Sequence, residues 1–323
     1  MRCINKRFRR IFCLLPCLLF LCGCQKEVPQ NRIAEYEQSI YTEDLYRSEL
    51  FADTLCAAAE DIPNELIQED ASLHGAALFD VENKEVLYAY RMHERLFPAS
   101  TTKILTALIA IERGNLDDIV RVSENAVNIP ADSSRAWLLA GDQLTLRDLL
   151  YGLMLPSGND AAIAIAEHIA GGVDSFTALM NEKARSLGAT NSHFANPHGL
   201  EDPNHYTTAY DLYLILNACI KEETFLEIIG TPQYTASITD AGGTVRQAGW
   251  NQSNYYTAGR TAAPEQVEVI GGKTGTTDEA GSCLVLLSRN QAGNPYISIV
   301  MGAASKPVLY QDMTSILSAV PAS

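Results

Sequence analysis

Pro98-Ala99-Ser100-Thr101-Thr102-Lys103-Ile104 opens an apolar stretch of helical period that runs over residues 101–113 and stops at Gly114-Asn115. Proline before the first turn and glycine after the last are the punctuation of a single helix. Upstream, residues 75–81 and 85–90 are two apolar runs around Glu82-Asn83-Lys84, the pattern of a β-hairpin. Downstream, helical periods cover 145–155 (ended by Pro156), 160–170 (ended by Gly171-Gly172), 173–187 and 207–221. Strand-like runs follow at 267–271, 283–288 and 296–301, and a last helix at 307–320. Strands, then many helices, then strands and a helix predict an α+β fold. Its antiparallel sheet takes first and last strands from opposite ends of the chain, is flanked by helices, and carries an additional helical lobe.

The composition, 47% hydrophobic and 20% charged over 323 residues, is that of a globular protein. The net charge is -15, and the first 23 residues hold five cations (Arg2, Lys6, Arg7, Arg9, Arg10) and no acid; without them it falls to -20. So acidic a surface repels polyphosphate and excludes nucleic acid as a partner. The basic stretch leads into an apolar run, 11–21, too short to span a bilayer but suited to a signal h-region. Leu21-Cys22-Gly23-Cys24 resembles a bacterial lipobox, whose final cysteine is diacylated and becomes the new N-terminus. The expected organisation is therefore a signal peptide over 1–23, a lipid on Cys24 holding the chain to the membrane, an acidic tether over 24–72, and a catalytic body over 73–323 that starts near His74. Cys56, Cys219 and Cys283 show neither a disulfide framework nor zinc spacing and read as buried thiols.

Three short strings carry chemistry. Ser100 and Lys103, at i and i+3, face the same side of a helix turn. A serine hydroxyl needs a base to become a nucleophile, and a desolvated lysine can serve. Ser157-Gly158-Asn159 lies between two helices, where a hydroxyl can relay a proton and an amide can bind both substrate and lysine. Lys273-Thr274-Gly275 ends a strand-like run, where a cation and a hydroxyl make a carboxylate site and glycine admits a substrate backbone. Ser123-Glu124-Asn125 repeats the spacing of the second string in what reads as an edge strand, only 23 residues past Ser100, and is set aside as a decoy. Taken singly, these strings are also compatible with a helix start, a cap and a turn.

In this order the three strings resemble penicillin-binding proteins and class A β-lactamases. From about His74 onward the chain is similar to the low-molecular-mass, serine-type D-alanyl-D-alanine carboxypeptidases. The resemblance rests on Pro98 to Ile104, on Met154-Leu155-Pro156-Ser157-Gly158-Asn159-Asp160, on Asn196-Pro197-His198-Gly199-Leu200 with His205-Tyr206-Thr207-Thr208 and Asp211, and on Gly272-Lys273-Thr274-Gly275-Thr276-Thr277 with Ala280-Gly281. It implies a β-lactamase/transpeptidase-like fold. It makes Ser100 the acylated nucleophile, Lys103 its base, and Ser157 and Asn159 the rest of the proton relay. Lys273 and Thr274, with Gly275 and Thr276, would hold the substrate's terminal carboxylate. The backbone N–H groups of Ser100 and Thr276 would form the oxyanion hole. The implied substrates are peptidoglycan stem peptides ending in D-Ala-D-Ala, with β-lactams as inhibitors and no metal or organic cofactor. Many relatives add a β-rich domain and a C-terminal amphipathic membrane helix, for which the sequence after Gly275 is too short; the lipid on Cys24 is expected to replace that anchor. Some relatives also grip the carboxylate with an arginine past the last strand, where this chain offers Lys306.

Two other hydrolases share these strings. A D,D-endopeptidase acting on peptidoglycan cross-links is hardly separable from the carboxypeptidase by sequence. A class A β-lactamase needs a glutamate for its deacylating water, commonly in an ExxxN string; Glu167 and Glu182 are followed four residues on by Gly171 and Ser186. A penicillin sensor without turnover is a further alternative. His193, His198 and His205 cluster in sequence but lack zinc-peptidase spacing, and His198 and His205 read as loop-ordering residues.

Overall fold

The computed structural model describes residues 51–68 and 72–323. The expected signal segment, Cys24 and most of the expected tether lie outside the described residues. The compact body begins at Thr54 rather than near His74. The Cys56 N–H donates to the Tyr213 hydroxyl at 2.8 Å, the Cys56 thiol donates to the Asp80 carbonyl at 3.2 Å, and Ile62 bridges to Ala89. A few apolar residues in a largely polar segment suffice to fix it to the sheet.

Strands β1 (Gly75–Asp80) and β2 (Glu85–Tyr90) form the expected hairpin. A small antiparallel sheet follows in order β3 (Ile119–Arg121), β4 (Gln143–Thr145), β5 (Gln233–Thr239), β6 (Val245–Asn251). Strands β7 (Val267–Thr277), β8 (Gly281–Asn290) and β9 (Pro295–Ala303) join the hairpin in one five-stranded antiparallel sheet of order β2-β1-β9-β8-β7. The pairing of Gly75 with Met301 through Asp80 with Tyr296 stitches the two ends of the body together. β7 is longer than the sequence suggested and carries Lys273-Thr274-Gly275 within the strand, not at its end. The bulge between Val269 and Gly271 shifts the register just before the motif.

The lobe holds α1 (Lys103–Arg113), α2 (Glu124–Val127), α3 (Leu146–Met154), α4 (Asn159–Ala170), α5 (Val173–Ser186), α6 (Ala209–Cys219) and α7 (Glu223–Gly230); α8 (Lys306–Ser318) packs on the sheet. α1 is buried on every side from Lys103 to Ala110, as befits a helix at the centre of a lobe. A Leu108→Ala change there costs about 2–5 kcal/mol. β9 faces two cores. Ile297, Ile299 and Met301 join the large core shared with α1 and α6, while Tyr296 and Val300 join a second core under α8. Thr145 and Asp148 close a capping box at the start of α3, and Gly171 ends α4 in the left-handed conformation. The decoy Ser123 is not on an edge strand. It caps α2, its hydroxyl accepting the Ala126 N–H at 2.9 Å.

Candidate active site

Ser100 lies in a 3-10 turn (Ala99–Thr102) that runs into α1. Both the N–H and the hydroxyl of Thr101 return to the Pro98 carbonyl, at 3.2 and 2.7 Å. Ala99 takes a positive φ of 47°, a strained position for a residue with a Cβ. Lys103, the first residue of α1, is fully buried. Its Nζ donates to Ser100 Oγ at 2.8 Å, Asn159 Oδ1 at 2.7 Å and the His198 carbonyl at 2.6 Å. Carbonyl and amide oxygens only accept. A neutral amine therefore spends its two N–H groups on Asn159 and His198 and turns its lone pair to the Ser100 hydroxyl; an ammonium donates to all three. Either protonation state is satisfied without moving an atom.

Ser157-Gly158-Asn159 joins α3 to α4. Ser157 has a positive φ of 65°, and the Asn159 N–H is held by the Ser134 carbonyl at 2.9 Å. Asp160 accepts the N–H groups of Ala136 (2.8 Å) and Leu138 (3.1 Å), so the base of α4 also fixes the loop across from it.

Lys273 is also fully buried, and donates to Ser157 Oγ at 2.9 Å and to the Thr274 carbonyl at 3.0 Å. Thr274 Oγ1 shares a hydrogen bond with Ser253 Oγ at 2.9 Å, and Thr276 donates to the Gly275 carbonyl at 2.8 Å. Gly275 passes so close to the Ser100 turn that a Cβ there would lie 2.9 Å from the Ser100 nitrogen and 3.0 Å from the Pro98 oxygen. The strings thus meet at one cleft of about 470 Å³. Its lining includes Ser100, Asn159, Thr276, Ser133, Ser134 and Gly199, with the carboxylates of Asp132, Glu201 and Asp278 at the walls.

Burial and the nearby Lys273 charge hold the Lys103 amine well below the ordinary lysine range, against a smaller opposing pull from Asp160. Burial and the Lys306 charge bring Lys273 down to about 7. Burial also keeps His198 and His205 neutral, at about 3 and about 4. His205 Nδ1 accepts the Ala195 N–H at 3.1 Å, so its proton sits on Nε2 and is donated to Thr102 Oγ1 at 2.7 Å. His198 Nδ1 accepts the Leu200 N–H at 3.1 Å. Both rings order the segment that presents the His198 carbonyl to Lys103.

A family described as D-alanyl-D-alanine carboxypeptidase matches residues 64–305. The chain belongs to this family. It is 34% identical to a D-alanyl-D-alanine carboxypeptidase of Bacillus subtilis over 248 residues, 75% of this chain and 60% of that relative. It is 34% identical to one of a Streptomyces species over 243 residues, 72% of this chain and 81% of that relative. The crystal structure of a Streptomyces DD-transpeptidase superposes with a TM-score of 0.72 at 32% identity, covering 78% of this chain and 98% of that one. A Francisella tularensis D-alanyl-D-alanine carboxypeptidase gives 0.69 at 26%, covering 81% and 73%. The fold of the family is thus the β-lactamase/transpeptidase-like α+β fold expected.

Sequence reading missed three contributors to this cleft. The His198 carbonyl is a main-chain group, which no residue type announces. Ser253, against Thr274, lies in a segment without motif. Asp160 stood inside a quoted string, but reads as a helix start until its two loop partners are seen.

Proposed function

We propose that the chain is an exported serine D,D-carboxypeptidase that removes the terminal D-Ala of peptidoglycan stem peptides through an acyl-enzyme on Ser100. The observation that carries the reading is the Lys103 amine, fully buried and 2.8 Å from Ser100 Oγ, with its other neighbours restricted to acceptors. Lys103 takes the Ser100 proton as Oγ attacks the penultimate D-Ala carbonyl. The backbone N–H groups of Ser100 and Thr276 take the developing oxyanion. Ser157, hydrogen-bonded to Lys273, relays the proton that Lys103 took on to the leaving D-Ala nitrogen, which returns Lys103 to its neutral form, and Asn159 orients Lys103 and the substrate amide. Lys273, Thr274, Gly275 and Thr276 receive the terminal carboxylate. Water then resolves the ester. β-Lactams, whose carboxylate and strained amide copy this substrate, acylate Ser100 and block the site.

The same reading places a lipid on Cys24, the chain on the outer side of the cell membrane, residues 1–23 as signal, and a tether from Cys24 up to the compact body that begins at Thr54. It rests on the basic-then-apolar start of the chain. No helix among the described residues is long and apolar enough to cross a membrane.

The test incubates the purified chain with a pentapeptide ending in D-Ala-D-Ala, with and without penicillin, beside Ser100→Ala. One D-Ala released per peptide, blocked by penicillin and absent in the variant, supports the reading. Rapid hydrolysis of penicillin with the peptide intact overturns it in favour of a β-lactamase. Cleavage confined to cross-linked dimers overturns it in favour of an endopeptidase.

A further inference from the structure

Trp137 stands 74% exposed, in the left-handed conformation at a φ of 61°. A bulky residue does not hold that conformation unless its surroundings fix it, and here they do. Asp160 takes the N–H groups on either side, of Ala136 and Leu138. The Trp137 carbonyl accepts from Arg246, which is paired with the buried Asp142, and Asp142 also takes the Leu139 N–H at 2.8 Å. Arg135, before it, is tied to the carbonyls of Ile129 and Pro130 at 2.7 and 3.0 Å. The indole is therefore presented on a rigid loop.

That loop is the wall of the cleft. Ser133 and Ser134 line it, and the Ser134 carbonyl holds the Asn159 N–H. Three residues of chain span at most about 11 Å, so the Trp137 backbone lies within that distance of the catalytic wall. Leu139 and Val245, each 60% exposed, flank the Arg246–Asp142 pair beside it. Three exposed side chains fall well short of the area a stable dimer buries, and the strongly acidic chain is repelled by an anionic lipid surface.

We infer that Trp137 is a stacking platform for the glycan strand from which the stem peptide hangs, extending the substrate-binding surface beyond the cleft. The C–H-rich face of a pyranose ring matches the electron-rich face of an indole, and a platform fixed beforehand loses little conformational freedom on binding. The substrate assignment rests on the carboxypeptidase reading; the surface itself does not.

The test adds peptide-free glycan strands to the purified full chain and follows tryptophan emission. The chain has two tryptophans, and Trp250 is 3% exposed with its indole N–H bonded to the Ala136 carbonyl. A saturable emission shift therefore reports Trp137, and it is expected with the wild type and lost in Trp137→Ala. On glycan-linked pentapeptide, Trp137→Ala is expected to lower kcat/KM about five- to tenfold through KM. Released pentapeptide stays within twofold, and Trp137→Phe falls between. No shift with glycan, or equal loss on both substrates, overturns the proposal. So does a shift with anionic vesicles or with rising protein concentration in place of glycan. If the wild type releases D-Ala from neither substrate, the carboxypeptidase reading fails, and the emission experiment still decides the glycan surface.

Discussion

The Nζ of Lys103 lies 2.8 Å from the Oγ of Ser100, and its two other partners are oxygens that only accept. Proton transfer between the two residues thus leaves every hydrogen bond in place. The proposed base avoids the reorganisation that a solvated one would need, and removing the amine's lone pair is expected to remove the reaction. Lys103→Arg keeps the hydrogen-bond donors but is fixed in the charged form and cannot accept a proton. It is expected to lower the rate of Ser100 acylation by penicillin at least 10²- to 10⁴-fold. Mass spectrometry of the intact protein gives the adduct over time, and Ser100→Ala gives none. An unchanged acylation rate in Lys103→Arg would sink Lys103 as the base.

Lys273 is drawn down to about 7 by burial first and by the Lys306 charge second. In its proposed role Lys273 must be charged to hold a carboxylate, so kcat/KM is expected to fall as pH rises past that value. Lys306→Met removes a neighbouring positive charge, raises the Lys273 value, and moves the alkaline limb to higher pH. The check is a kcat/KM profile on the pentapeptide from pH 5 to 10. A limb that stays in place, or moves down, shows that Lys306 does not act on Lys273.

Two glycines pack against the Ser100 turn. At Gly199, with φ 89°, a Cβ would fall 1.8 Å from the Ala99 carbonyl oxygen; at Gly275 it would meet the Ser100 nitrogen at 2.9 Å. Backbone atoms on both sides leave no flexible group to give way. Gly275→Ala is expected to fold with an acylation rate reduced at least 10²-fold, since a shift of about 1 Å suffices for that. Gly199→Ala adds left-handed strain and displaces the segment carrying the His198 carbonyl, so it is expected to lose more than about 2 kcal/mol of stability as well. Thermal melts beside penicillin labelling separate the two effects. Gly275→Ala with wild-type labelling contradicts the close packing.

The fold was legible where local chemistry and tertiary structure agree. The β1–β2 hairpin, α1 after Pro98, the Thr145 cap and the Gly171 stop are each set by residues a few positions apart. The Ser100, Ser157 and Lys273 strings were legible because each is a short run of contiguous residues, and the structure brings them to one cleft. What escaped reading depends on distant partners. β5 and β6 alternate only weakly and exist by pairing with each other and with β4. Cys56 joins the body through Tyr213, far along the chain. Ser123 shows the converse, for a motif spacing without its surroundings is only a helix cap.

His198 and His205 make the site sensitive to acid. Both imidazoles are folded neutral, at about 3 and about 4 against an ordinary 6.5, because burial opposes their charge. Above pH 6.5 neither the folded nor the unfolded state protonates them, and they add no pH dependence. As pH falls from 6.5 toward 4, the unfolded chain takes up two protons that the folded chain refuses. Stability therefore falls, by up to about 1.4 kcal/mol per histidine for each pH unit. His205→Gln loses the hydrogen bonds that tie Ala195 to Thr102 and is expected to melt lower than the wild type at pH 7.5. Between pH 6.5 and 4, however, it has one fewer group to titrate, so its Tm is expected to fall less steeply. Carboxylates contribute equally to both proteins and cancel in the comparison. Parallel Tm profiles for the two would mean that His205 is protonated in the folded state, and that the segment presenting the His198 carbonyl to Lys103 is held by charge instead of by a buried neutral ring.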